Sequence, residues 1–191
     1  MKPIYIDITN IPELTHYTGI SRVVTETILR MLCDNKPLVL LSYSVPHSAY
    51  RIIDNDRFLL AAAGKLADKR SCYTDNYLTI DALENGAVFL DLNSAWHTLP
   101  NRSYLLPKLK NKQIRILVQI YDLIPIRHPE YMAEQTLLRF MEFLTAHLTY
   151  ADDILVNTNA VGEDVRALFQ ELEIPEKPVH LVPLGADFST R

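Results

Sequence analysis

Strand-like and helix-like apolar patterns alternate along almost the whole of this chain, and that alternation admits very few architectures. Ile4-Tyr5-Ile6-Asp7-Ile8 reads as a strand, and Ile20, Val23, Val24, Ile28, Met31 and Leu32 then recur at helical spacing. The Asp34-Asn35-Lys36-Pro37 cluster predicts the end of that helix. Leu38 to Val45 is too apolar for a half-exposed edge and reads as a buried parallel strand. Ala87 to Leu92, Ile114 to Tyr121, Ile154 to Val156 and Val179 to Val182 read as further strands. Between them, Tyr104 to Leu109 reads as a short helix, and Met132 to Tyr150 carries Leu137, Leu138, Met141, Leu144 and Leu148 on one face. Asn157-Thr158-Asn159 offers N-caps for a helix bearing Val161, Val165, Leu168 and Leu172. The expected fold is α/β: a Rossmann-like three-layer sandwich with a mostly parallel sheet and helices on both faces.

The stretch from Pro46 to Asn85 has weaker periodicity. Tyr50 to Ile53 and Arg57 to Leu60 flank Asp54-Asn55-Asp56, which reads as a hairpin turn, with a helix over Leu59 to Asp68 as the alternative. Asp54 and Asp56 also have the spacing of a metal-binding Asp-any-Asp motif, but a turn accounts for them without chemistry.

A chain of 191 residues suits one well-cored domain. Apolar content of 48% and charged content of 22% argue against both disorder and an integral membrane protein. The net charge of -4 and the scattering of lysine and arginine argue against nucleic acid as a partner. Phe58 to Ala63 and Ile114 to Ile126, the best apolar stretches, are too short or too charged to span a bilayer. The N-terminus meets Asp7 before any signal-peptide core, so a cytoplasmic location is expected. Attachment at the inner face of the membrane stays open, although no strongly basic amphipathic stretch announces it. Cys33 and Cys72 have no partners at zinc spacing and read as unpaired thiols.

Thr18-Gly19-Ile20-Ser21-Arg22 joins the first strand's loop to the first helix. A glycine there lets backbone N–H groups approach a ligand, and the helix start adds partial positive charge, an arrangement suited to an anion. Arg22 could add a planar charged fork, or be a solvated helix residue. Three more polar clusters, Asp91 to His97, Tyr121 to His128 and Asn157 to Asn159, follow strands, and open α/β sheets bind ligands at that edge. No Ser-His-Asp set, zinc pattern, Walker loop or dinucleotide glycine fingerprint appears in the sequence.

Thr18-Gly19-Ile20-Ser21-Arg22-Val23, the run Tyr121-Asp122-Leu123-Ile124-Pro125-Ile126-Arg127-His128-Pro129-Glu130-Tyr131, and Pro183-Leu184-Gly185-Ala186-Asp187 together resemble the N-terminal half of glycosyltransferase family four. The likeness is closest to bacterial members that build O-antigen and capsule polysaccharides, and Asp91-Leu92-Asn93-Ser94-Ala95-Trp96 resembles their acceptor-side segment. That resemblance implies one half of a GT-B fold, over 1–182, with 183–191 beginning a linker toward a donor domain. It implies a hexosyl, for instance mannosyl, transfer with retention, from a nucleotide-sugar co-substrate to a saccharide or lipid-linked saccharide acceptor, without cofactor or metal. Under it, Gly19, Ser21 and Arg22 would contact the donor diphosphate, Asp122 and Tyr121 would serve the transfer, and Asn93, Trp96 and His97 would bind the acceptor. Tyr121 stands where many relatives have histidine. An acceptor-side half would be poorly active without its donor domain.

Plainer roles stand beside these. Asp122 could cap the turn that Pro125 fixes, Trp96 could be core, and His128 before Pro129 reads as structural. A non-catalytic saccharide- or partner-binding module of the same fold is the alternative function.

Overall fold

The computed structural model describes residues 2–9, 11–13, 18–66 and 68–185. Its strands are β1 (Ile4–Asp7), β2 (Leu38–Ser44), β3 (Ala49–Ile53), β4 (Tyr73–Leu78), β5 (Val88–Asp91), β6 (Arg115–Ile120), β7 (Asp153–Val156) and β8 (Val179–Leu181). Its helices are α1 (Gly19–Cys33), α2 (Asn55–Ala62), α3 (Arg102–Asn111), α4 (Ile124–Arg127), α5 (Glu134–Tyr150) and α6 (Asn159–Glu171). The eight strands form one sheet in the order β4-β3-β2-β1-β5-β6-β7-β8. The pairings from β2 through β8 are parallel, whereas β2-β3 and β3-β4 are antiparallel. The fold is thus the expected α/β three-layer sandwich with a mostly parallel sheet.

Strand alternation divides the core between the two faces. Ile6, Leu40 and Leu90 meet Val24 and Ile28 of α1 and Phe58 of α2 on one face. Phe89, Ile116, Val118 and Ile154 meet Leu105, Phe140, Leu144 and Val165, from α3, α5 and α6, on the other.

Three local expectations need correction. Asp54-Asn55-Asp56 is not a hairpin turn: the Asp54 carboxylate accepts from Arg57 N at 2.9 Å and caps α2, whose buried Phe58 and Ala61 are three residues apart rather than two. The true hairpin joins β2 to β3 through 45–48, with Ser48 at φ 46°. Asp152 and Asp153, at the start of β7, both have partners. Asp152 binds Lys110 Nζ at 2.6 Å and Ile116 N at 2.8 Å, while Asp153, 5% exposed, binds Arg115 and His180 across β6 and β8. Arg115 and His180 together outweigh burial and lower the Asp153 carboxyl from its usual range.

On α5, Leu138 and Met141 face outward, because the buried arc is set by Phe140, Phe143, Leu144, His147 and Leu148. Leu172 is likewise exposed, at the end of α6. Cys33 and Cys72 are free thiols, the first exposed and the second buried. Among the described residues, no helix is long and apolar enough to cross a membrane.

Candidate functional site

A cavity of about 620 Å³ opens at the carboxyl edge of the sheet, within the size range of small-molecule sites. Three sequence-distant segments meet in it. Thr18 to Ser21 come from the start of α1, Asn93, Ser94, Trp96 and His97 from the segment after β5, and Tyr121, Asp122, Ile124 and Pro125 from the segment after β6. Seven of the expected site residues therefore share one cavity: Gly19, Ser21, Asn93, Trp96, His97, Tyr121 and Asp122. Arg22 is exposed and is not among the lining residues, and neither are Asn157 to Asn159. Ala186 and Asp187 of the last resembling segment, and 14–17 of the loop before α1, lie outside the described residues.

The start of α1 is capped from within. Thr18 Oγ1 accepts from Ser21 N at 3.2 Å, and Arg22 N donates to Thr18 O at 3.0 Å. The N–H groups of Gly19 and Ile20 have no partner among the described residues, so these two donors remain for a ligand. Gly19 lines the cavity, and a Cβ built on it meets nothing within 4 Å, so the backbone there is open to approach. Ser21 is buried, its hydroxyl turned back to Thr18 O at 3.1 Å.

Both residues assigned to transfer have structural partners. Tyr121 donates its hydroxyl to Leu92 O at 2.9 Å. Burial, and then the charge of Asp91, push its phenol well above the usual range, so it is a fixed donor rather than a base. Asp122 is exposed and its Oδ1 accepts from Ile124 N at 3.1 Å, the turn-capping role that competes with chemistry. Its other carboxylate oxygen has no partner among the described residues.

On the acceptor side, Asn93 Nδ2 reaches Thr9 O at 3.5 Å and ties the first loop to the second. Trp96 both lines the cavity and packs on the core, with its ring edge-on to Phe140 at 6.4 Å. Partial burial, then the charge of Arg139, lower the His97 imidazole below its usual range. His128 is exposed and 3.3 Å from Glu130, outside the cavity lining, in keeping with a structural role.

Below the cavity lies a buried charge cluster that the sequence reading missed. The register Ile6↔Leu90 sets Asp7 beside Asp91 at the ends of neighbouring strands. Arg102 reconciles the two like charges: its Nη2 lies 3.1 Å from Asp7 Oδ2 and 3.1 Å from Asp91 Oδ1, and its Nε lies 2.6 Å from Asp91 Oδ2. His147 Nε2 is 3.0 Å from the same Asp91 oxygen, and its Nδ1 is 2.8 Å from Phe143 O. Asp7 also accepts from Thr9 N, Thr9 Oγ1 and Tyr50 Oη. Burial and the charge of Asp7 push the Tyr50 phenol well above its usual range, which keeps it a donor. Burial alone would raise the Asp91 carboxyl, but the Arg102 charge and the His147 hydrogen bond reverse this and hold it at about 2.

A signal for this cluster was present. Tyr5-Ile6-Asp7-Ile8 and Phe89-Leu90-Asp91-Leu92 each set an aspartate inside an apolar strand, where buried donors or a cation must stabilise it. Neither of two comparisons, one with protein-family models and one with curated proteins, finds a match to this chain.

Proposed function

We propose that this chain is the acceptor-side half of a retaining glycosyltransferase, transferring a sugar from a nucleotide-sugar to a bacterial surface polysaccharide or its lipid-linked precursor. The observation that carries the proposal is the convergence of Thr18 to Ser21, Asn93 to His97 and Tyr121 to Asp122 on one cavity at the sheet's carboxyl edge. Three of the four segments on which the family resemblance rests contribute to that cavity; no described residue of 183–187 is in the lining. In this reading Gly19 and Ile20 offer backbone donors, Asn93 and Trp96 hold the acceptor, and Asp122 accepts from a sugar hydroxyl.

One observation favours a second reading. None of the described lining residues is lysine or arginine, although a leaving diphosphate requires strong positive stabilisation. In a saccharide-binding module without transfer, the same cavity needs no such charge.

The test compares this chain alone with the chain joined to the donor half of a family-four enzyme, each supplied with labelled nucleotide-hexoses and a lipid-linked oligosaccharide. The proposal expects retained-configuration transfer by the joined protein, only acceptor binding by the chain alone, and loss of transfer in Asp122→Asn. Acceptor binding with no transfer by the joined protein supports the module instead. Transfer by this chain alone, at rates of an intact enzyme, overturns the half-site reading.

A further inference from the structure

The cavity has two chemically different sides. Toward α1 it offers the N–H groups of Gly19 and Ile20, together with Gln119, which is 5% exposed and whose Nε2 has no hydrogen-bond partner among the described residues. Asp122 adds an acceptor at the mouth. Toward α5 the wall is Trp96, Ile124, Met132, Phe140, Phe143 and Leu144, and its side-chain polar groups among the described residues are the Thr136 hydroxyl and the Trp96 indole N–H. A sugar pressed against that wall would lose water from several hydroxyls and regain almost no partners, at a cost of roughly 1–3 kcal/mol for each unpaired group. An alkyl or prenyl chain would lose nothing there and would leave water.

The apolar wall also continues outward. Ile124 lines the cavity yet is 49% exposed, and Tyr131, 74% exposed, adjoins the lining residue Met132. A chain longer than the cavity therefore has an apolar lip to cross. Among the described lining residues the polar end has donors and one carboxylate but no lysine or arginine. A doubly charged phosphate would face Asp122 with no lysine or arginine among the described lining residues to pair with it; an uncharged hydroxylated head would donate to Asp122 and accept from Gln119.

We infer that the cavity binds an amphiphile, an uncharged hydroxylated head at the α1 and Gln119 end with a single apolar chain along the α5 wall. This rests on the reading of the cavity as an acceptor site, and it narrows the acceptor to a hydroxylated group carrying its own hydrocarbon.

Trp96 is the chain's one tryptophan, so its emission reports on this wall without any substitution. The unmodified protein is titrated with glucose, with hexyl, octyl and nonyl β-glucoside below their micelle concentrations, and with octyl phosphate. Expected are no measurable shift with glucose and a blue shift with the glucosides. Affinity should rise by up to about fourfold for each methylene buried, and octyl phosphate should bind at least about tenfold more weakly than octyl glucoside, as a charge lacking a partner requires. Ile124→Glu and Met132→Glu, checked by thermal melting, should each flatten the chain-length series. Affinity independent of chain length, octyl phosphate binding as tightly as octyl glucoside, or binding that leaves Trp96 emission unchanged overturns the inference. The two readings fail separately. Chain-independent binding of a soluble oligosaccharide with transfer by the joined protein removes the amphiphile and leaves the transferase, whereas chain-dependent binding without transfer does the reverse.

Discussion

Replacing Arg102 with methionine tests whether the buried charge cluster holds the carboxyl edge of the sheet together. The guanidinium is 1% exposed and is the group that bonds both Asp7 and Asp91, with a further bond to Pro100 O at 3.1 Å. Asp7 would keep three donors, from Thr9 and Tyr50, but Asp91 would keep only His147. Removing one partner of a buried ion pair costs about 3–5 kcal/mol, and a domain of this size loses roughly 2–4 °C of melting temperature per kcal/mol. The expected fall in Tm at pH 7 is therefore roughly 6–20 °C, a large share of a total stability of about 5–15 kcal/mol. Without Arg102, the Asp91 carboxylate lowers its cost by taking a proton, so the difference from the wild type should shrink toward pH 4. Urea unfolding across pH 4–8 measures both effects. Asp91→Asn in the Arg102→Met background should recover about 1–3 kcal/mol relative to the sum of the single changes, because it removes the charge left without a partner. A loss below about 1 kcal/mol for Arg102→Met, or a loss independent of pH with no coupling to Asp91, would show that the cluster does not hold the edge.

Three further outcomes are expected. Gly19→Ala should leave Tm unchanged or raise stability by up to about 1 kcal/mol, since the backbone there is not left-handed and the added Cβ meets nothing within 4 Å; octyl glucoside titration should nevertheless weaken as the methyl enters the cavity. The Asp91 carboxyl, held at about 2 against an ordinary 3.8, contributes stability that is fully present above pH 4 and is lost as pH falls toward 2. That share is about 2 kcal/mol, and acid titration of unfolding should show it missing from Asp91→Asn. Tyr121→Phe should cost about 0.5–1.5 kcal/mol by freeing Leu92 O, yet leave transfer by the joined protein within about threefold; a loss of a hundredfold or more would return Tyr121 to the chemistry.

The layers of this fold were legible because their apolar periods are clean. Ile4 to Ile8, Ala87 to Leu92 and Ile114 to Tyr121 alternate in apolar runs between turn signals, and Thr18 is both the expected and the observed boundary of α1. Periodicity failed where one residue type serves two local structures. Asp54 can open a turn or cap a helix, and the choice depended on whether Phe58 and Ala61 had a surface to bury against. Side-chain identity also misled on α5, where leucines and methionines drew the stripe through Leu138 and Met141, while the surface to be covered called for Phe140, Phe143 and His147. Gln119 was hidden for a similar reason: in a strand of β-branched residues it reads as one more position, and only its place at the sheet edge makes its unpaired amide notable.

The cavity and the buried charges form one mechanical unit. Asp7 fixes Thr9, whose carbonyl holds Asn93, and Thr9 lines the cavity. Asp91 ends the strand that leads into Asn93, Trp96 and His97, and its charge also bears on the Tyr121 phenol. His147 binds the carbonyl of Phe143, whose ring contacts the imidazole at 4.3 Å and lines the opposite wall. Three of the cluster's contacts therefore end at or one step from a lining residue: those through Thr9, through Asp91 and through His147. Loops that meet a ligand are ordinarily the mobile part of an α/β domain. Here Thr9, the segment after β5 and the α5 wall are tied to a cluster that water does not reach. Their spacing is then set by bond lengths beneath the sheet edge rather than by the ligand, which lowers the ordering cost of binding for an acceptor held by few polar contacts.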